Sequence, residues 1–278
     1  MSTGPVWLNG RVVDASEATV SVFDHGLTVG DGVFETMRTV RREPFAISRH
    51  LRRLRASAAG LGLAIDRDDD ALRAAVAETI DAHTGGELRV RLTVTGGPGP
   101  AGSGRGDAPP TTLIVAGPLD SVAPTTTVVS VEWTRNERAA VVGLKTTSYA
   151  ENVIALAAAK ERGATEALFA NTAGELCEGT GSNVFVVVDG EILTPPLSSG
   201  CLAGITRELL LEVVDATERP LPIDVLDRAD EMFLTSSTRD VQAVSHVDGR
   251  QIGDGEPGRA TATSRESFAE LQAMTTDP

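Results

Sequence analysis

Over the first 117 residues, short β-prone runs bracket two helical runs; beyond residue 125, strands and helices resume in a different alternation, and no internal repeat relates the two parts. That change of rhythm confines the chain to two mixed α+β halves. Val6-Trp7-Leu8-Asn9-Gly10-Arg11-Val12-Val13 reads as a hairpin, because Asn-Gly tolerates the positive φ angles of a tight turn. An alternating strand is expected over 32–40. One helix starts at His50, with Leu51, Leu54, Ala58 and Leu61 at helical spacing. Another runs from Asp68 to Asp81, its first carboxylates at the positive end of the helix dipole. Strands over 88–95 and 111–116 close this half. Between them, 96–106 is too rich in Gly and Pro for regular structure, and loops of this length often bind something. The expected division is an N-terminal α+β domain over 1–117, a linker over 118–125 and a C-terminal domain over 126–278.

In the second half, strands are expected over 126–133, 167–170, 183–188, 191–193 and 231–235. Helices are expected from Tyr149 to about Arg162, over 206–214 and roughly over 263–274. Ser148 and Glu151 have the S-x-x-E spacing of a capping box, which places the start of the first of these helices.

Composition narrows the partners. A net charge of −14 and a pI near 4.7 argue against nucleic acid or an anionic membrane. Cys177 and Cys201 are the only cysteines, without C-x-x-C, and the histidines at 25, 50, 83 and 246 show no ligand spacing, so neither a disulfide framework nor a metal site is expected. No apolar run approaches the ~20 residues of a membrane span. Met1-Ser2-Thr3-Gly4-Pro5 lacks the features of a secretory signal, and the chain reads as cytoplasmic.

Lys and Arg together number 25, yet only two are lysines. Lys160 sits on the polar flank of a helical run. Lys145 follows the strand-like Val141-Val142-Gly143-Leu144 and opens the small polar turn Thr146-Thr147-Ser148. Arg stays protonated and cannot form an imine, whereas a partly desolvated Lys can be neutral and nucleophilic. Leu202-Ala203-Gly204-Ile205-Thr206-Arg207 reads as a glycine turn opening a helix, with free N–H groups suited to a phosphate. The hydroxyl cluster Thr235-Ser236-Ser237-Thr238 follows a strand. Glu178 reads as an isolated acid in a small-residue loop between two strands. Signatures for nucleotide phosphates (G-x-x-x-x-G-K-[ST]), zinc proteases (H-E-x-x-H) and serine hydrolases (G-x-S-x-G) are absent.

Six landmarks occur in order: Gly30-Asp31-Gly32-Val33-Phe34-Glu35; His50-Leu51-Arg52-Arg53-Leu54; Lys145; Glu178-Gly179 with Asn183-Val184-Phe185; Gly204-Ile205-Thr206-Arg207; and Ala229-Asp230-Glu231 before the hydroxyl cluster. Through them nearly the whole chain resembles the fold-type IV pyridoxal-phosphate enzymes, aminotransferase class IV. The resemblance implies a two-domain α+β fold, with a smaller N-terminal α/β sandwich and a larger β-barrel-like C-terminal domain with helices. It implies pyridoxal 5′-phosphate as cofactor and Lys145 as the Schiff-base lysine and proton carrier. Glu178 would pair with the pyridine nitrogen, keeping the ring an electron sink. Arg53, Ile205, Thr206 and Ser237 would take the phosphate, and Tyr149 would reach either the phenolic oxygen or a sheet edge.

Phe34 corresponds to a pocket-lining aromatic in these relatives, and Arg91 and Arg105 are the candidate carboxylate-binding residues. Arg105 lies on the Gly-rich loop that in relatives reaches the neighbouring subunit's active site, so a homodimer is implied. D-amino-acid transaminases follow that loop arginine with His, whereas this chain has Arg105-Gly106-Asp107; the Ser-Arg-Gly frequent in aminodeoxychorismate lyases is replaced by Thr95-Gly96-Gly97. The expected activity is transfer of an amino group from a D-amino acid, with (R)-amines as further donors, to a 2-keto acid. Aminodeoxychorismate lyase is the second reading and a branched-chain L-amino-acid transaminase the third.

Overall fold

The computed structural model describes residues 4–278; residues 1–3, part of the N-terminus read above as lacking a signal, lie outside them. The chain divides into two compact units. One comprises 1–120, 144–148 and 275–278, and the other 121–143 and 149–274. The sequence reading placed 144–148 and 275–278 in the C-terminal domain; the chain instead returns both segments to the first unit.

The first unit is built on a six-stranded sheet of β1 (Val6–Leu8), β2 (Arg11–Val13), β3 (Gly32–Val40), β4 (Glu43–Pro44), β5 (Leu88–Thr95) and β6 (Thr111–Pro118), in the order β2-β1-β6-β5-β3-β4. Every pairing is antiparallel. Asn9 (φ 48°) and Gly10 (φ 110°) make the β1–β2 turn in the left-handed region, as Asn-Gly suggests. Three helices belong to this unit: α1 (His25–Thr28), α2 (Ile47–Leu61) and α3 (Asp69–Asp81). Asp68 caps α3 by accepting from the Ala71 N–H. Leu51, Leu54 and Ala58 of α2 and Leu72, Ala75, Val76 and Ile80 of α3 bury against Val33, Met37, Val90, Leu92, Val94 and Ile114 of the sheet. Helical spacing on one side and two-residue alternation on the other therefore meet in one core.

The second unit carries a nine-stranded mixed sheet: β7 (Thr125–Arg135), β8 (Glu166–Asn171), β9 (Leu176–Gly179), β10 (Asn183–Val188), β11 (Glu191–Thr194), β12 (Ala216–Glu218), β13 (Glu231–Ser236), β14 (Asp240–Val247) and β15 (Arg250–Gln251). The order is β12-β11-β10-β13-β14-β7-β8-β9, with β15 added to β14. Its helices are α4 (Ala150–Glu161), α5 (Ile205–Val213) and α6 (Arg259–Met274). Ala155 and Ala159 of α4 close on Val129 and Phe169, small residues letting the helix approach the sheet. Phe185 and Phe233, cross-strand partners on β10 and β13, stack with ring centroids 4.8 Å apart. Among the described residues no helix is long and apolar enough to cross a membrane.

Candidate active site

Lys145 is not delivered by a strand. The residues before it form turns, and Val141 and Val142 are exposed, so the apolar run expected to be a strand is a surface loop. Lys145 is held instead from both sides of its backbone in the first unit. Its carbonyl accepts from the Phe34 N–H (3.0 Å) and its own N–H donates to Ser57 Oγ on α2 (3.0 Å). Thr146 bridges to Val33, and the Thr147 N–H donates to Gly32 O (2.8 Å). A short stretch of chain is thus zipped onto the edge of β3. Ser148 shares in this anchoring: its hydroxyl donates to Gly30 O (3.0 Å). The predicted capping box is therefore not formed. Tyr149 is the N-cap of α4 without a side-chain capping bond, and Glu151 lies 3.3 Å from Arg135.

Phe34 collects two of the predicted residues. Lys145 Nζ lies 4.5 Å from its ring centroid, and the Arg91 guanidinium carbon lies 3.6 Å from the same centroid. Phe34 and Arg91 belong to the alternate residues of β3 and β5 turned away from the core packed by α2 and α3, which brings them to one sheet face. Arg105, by contrast, is engaged elsewhere in the unit. Nε and Nη2 donate to the two Asp31 carboxylate oxygens (2.6 Å each), Nη2 also to Leu61 O (2.9 Å) and Nη1 to Gly62 O. The pair holds the Asp31 carboxyl below the usual range, chiefly through the Arg105 hydrogen bonds.

Arg53 projects from α2 onto Glu35, with Nε 2.8 Å from Oε1 and Nη2 2.6 Å from Oε2. His50 Nδ1 lies 2.6 Å from the same Oε2. Burial alone would raise the Glu35 carboxyl, but the Arg53 charge and the hydrogen bonds from Arg53 and His50 prevail and hold it at about 2. Burial outweighs Glu35 at His50 and lowers its proton affinity, with Arg53 and Lys145 acting in the same direction.

In the second unit, Glu178 lies on β9, not in a loop as the sequence suggested; Phe169 is its partner across β8. Leu202 N–H donates to its Oε2 (2.9 Å), and Arg135 Nε lies 3.3 Å from Oε1. Arg135 in turn donates to Asn152 Oδ1 (2.6 Å) and lies over the Phe169 ring at 4.1 Å. Sequence reasoning missed Arg135, since one arginine among 23 carries no distinguishing signal. Ile205 and Thr206 open α5, both buried, behind the N-cap Gly204, which has no side chain to cap the helix. A Cβ on Gly204 would meet Asn183 Oδ1 at 1.9 Å, so a larger residue would have to displace the Asn183 side chain. Ser237 lies in the turn after β13, and Thr235 Oγ1, two residues earlier, is buried without a hydrogen-bond partner. An uncapped helix start, a cradle closed to side chains and an orphaned hydroxyl form a donor set that fits a phosphate. Taken unit by unit, the second holds a carboxylate of the kind a pyridine nitrogen needs, and the first a lysine pinned through its backbone of the kind an imine needs.

These features define a class. The model of the amino-transferase class IV family matches residues 32–247, and the chain belongs to that family. It is 32% identical over 276 residues to the putative branched-chain-amino-acid aminotransferase of Methanocaldococcus jannaschii, covering 96% of each chain. It is also 32% identical over 270 residues to the D-alanine aminotransferase of Bacillus licheniformis, covering 92% of this chain and 93% of that one. The solved branched-chain amino acid aminotransferase from Escherichia coli superposes with a TM-score of 0.90 at 26% identity, covering 97% of this chain and 94% of that one. The fold is that of the fold-type IV aminotransferases, and the protein is an aminotransferase dependent on pyridoxal 5′-phosphate.

Proposed function

We propose that the chain transfers the amino group of a D-amino acid to a 2-keto acid, accepting (R)-amines as further donors. The observation that carries this reading is the shared contact on Phe34: a guanidinium able to hold an α-carboxylate bidentately lies against the same ring as the lysine amine. Arg91, fixed on β5 against the Phe34 ring, is the carboxylate anchor; Arg105 is held by Asp31 and two carbonyls. Phe34 lines the substrate site. The D-alanine aminotransferase relative supports the stereochemistry.

Bound pyridoxal phosphate supplies an electron sink for the charge left when the substrate Cα–H bond breaks. The chain's residues do the rest. Lys145 holds the cofactor and carries the proton at the substrate Cα. Glu178, oriented by the Leu202 N–H and Arg135, would pair with the pyridine nitrogen and keep it protonated. The N–H groups of Ile205 and Thr206, the hydroxyls of Thr206 and Ser237, and Arg53 would take the phosphate, and Tyr149 would hydrogen-bond the phenolic oxygen.

A half-reaction screen tests the reading. D-Alanine should bleach the cofactor's visible band faster than L-leucine, and Arg91→Ala should lower kcat/KM for D-alanine by roughly ten- to a hundred-fold while sparing (R)-phenylethylamine. The third reading of the sequence, a branched-chain L-aminotransferase, moves ahead of aminodeoxychorismate lyase on the support of the Methanocaldococcus jannaschii relative and the Escherichia coli structure. Faster turnover of L-leucine or L-valine would decide for it.

A homodimer belongs to the same proposal. Val20, Val22, Phe23, Leu27 and Val29 are all exposed within ten residues, Val22 at 70% and Leu27 at 69%. Exposed apolar residues clustered in sequence in this way suit burial against a second copy across a two-fold axis.

A further inference from the structure

β3 places a carboxylate where its pattern calls for an apolar residue. Val33, Glu35 and Met37 point to one face, and Val33 and Met37 are fully buried in the core formed with α2 and α3. Glu35 is itself 0% exposed and sits opposite Leu92 on β5. An unpaired charge there would be prohibitive, and Glu35 is fully paired by the Arg53 fork and His50. Stability alone does not call for the arrangement, since buried ion pairs can often be replaced by well-packed apolar residues without loss. An apolar residue, however, could not orient a guanidinium. Two oxygens on the Nε–Nη2 edge fix both the plane and the roll of the Arg53 head group. His50, one turn earlier on α2, presents its Nδ1 to the same carboxylate, and burial favours its neutral form, so no second cation competes there.

We propose that Glu35 is a positioning residue: it sets the direction of Arg53 for the phosphate of the cofactor, with His50 as the third member of the assembly. This rests on the reading of Arg53 as a phosphate ligand. The pairing neutralises much of the Arg53 charge, so what Glu35 contributes is direction rather than field. The two alternatives have opposite signs. If the Arg53 charge alone mattered, removing the Glu35 charge would tighten phosphate binding; if orientation matters, it would weaken it.

Titration of the apoprotein with pyridoxal phosphate and with unphosphorylated pyridoxal separates these cases. Glu35→Gln should weaken pyridoxal phosphate about ten- to a hundred-fold, leave pyridoxal within about twofold, and shift the ³¹P resonance of the bound cofactor. Glu35→Asp keeps the charge but withdraws it by one methylene, and should show the same phosphate selectivity with a smaller loss. It decides the matter if Glu35→Gln does not fold. Arg53→Lys keeps the charge without the fork and should weaken pyridoxal phosphate at least about tenfold while sparing pyridoxal. If Arg53→Lys shows that selectivity and neither Glu35 variant does, the positioning role is overturned while Arg53 keeps its assignment. If Arg53→Lys leaves the preference for pyridoxal phosphate over pyridoxal unchanged, the assignment and the role that rests on it fall together.

Discussion

Lys145 could be singled out from sequence because a chain that writes its positive charge as arginine has a chemical reason to keep an amine. Borohydride reduction of the loaded protein should place the label on Lys145 and not on Lys160, which peptide mass mapping would read directly. Glu178 was legible through its neighbours, but its anchoring by Arg135 and Leu202 is tertiary. Glu178→Gln should cost on the order of a hundredfold in kcat, ~3 kcal/mol of barrier, because one ionic partner counts for more in a partly desolvated site than in water. An unchanged kcat in steady-state assays would make Glu178 an ordinary strand residue. Glu35 also predicts an acid response. Its folded carboxyl titrates at about 2 against an ordinary 4.5, so its stabilisation is complete above about 4.5 and is lost as the pH falls toward 2. His50 acts with the same sign from a higher pH. Its proton affinity is lowered on folding, so below about 6.5 the unfolded chain binds the proton preferentially. Urea melts between pH 7 and pH 3 should show the stability gap between the wild type and Glu35→Gln narrowing on acidification.

At the scale of elements, local signals served best where one face is apolar. β3 and β5 span the residues expected, and α3 begins at Asp69, one residue after its expected start, with Asp68 as its cap. β14 escaped notice although it lies between β13 and β7 in the larger sheet. Gln242 and Ser245 break its apolar pattern, and only the fold satisfies them, through the carbonyls of Ala123, Thr125 and Thr126. The capping box failed for a related reason. Ser148 has a competing acceptor in Gly30 O, which no spacing rule can see. Ser148→Ala should therefore leave α4 helicity unchanged by circular dichroism, within a few tenths of a kcal/mol in stability. Gly204→Ala should do the opposite. Its backbone φ of −67° is ordinary, but the new Cβ would displace Asn183, whose Nδ2 is bonded to Leu202 O. A loss of ~1–3 kcal/mol by thermal melt, with weaker pyridoxal phosphate binding, is expected.

At the scale of the whole molecule, the exposed apolar run over 20–29 predicts a dimer in sedimentation velocity. Phe23→Asp with Leu27→Asp should shift the protein to monomer and lower its specific activity; a wild-type monomer with full activity would contradict the dimer. The division into units predicts that cutting the chain after 120 will not yield a complete first unit, because 144–148 and 275–278 would be missing. The tail is tied in by the Ala46 N–H to Thr276 O (2.7 Å) and the Ser48 N–H to Asp277 (2.9 Å). Deleting 275–278 should lower the melting temperature by removing these bonds.

The residues determined by themselves the two α+β halves and the family they belong to, and they singled out Lys145, Glu178 and the helix start at Ile205 as candidates. Those features rest on composition, short-range periodicity and turn chemistry, all carried within a few neighbouring positions. Tertiary structure alone decided that Lys145 is zipped onto β3, that Arg91 and Lys145 share Phe34, that Arg105 is occupied by Asp31, and that Glu35 is buried beneath Arg53. Each of these pairings spans from 18 to about 110 positions, and a charge at such a separation finds its partner only once the strands and helices that carry it have packed.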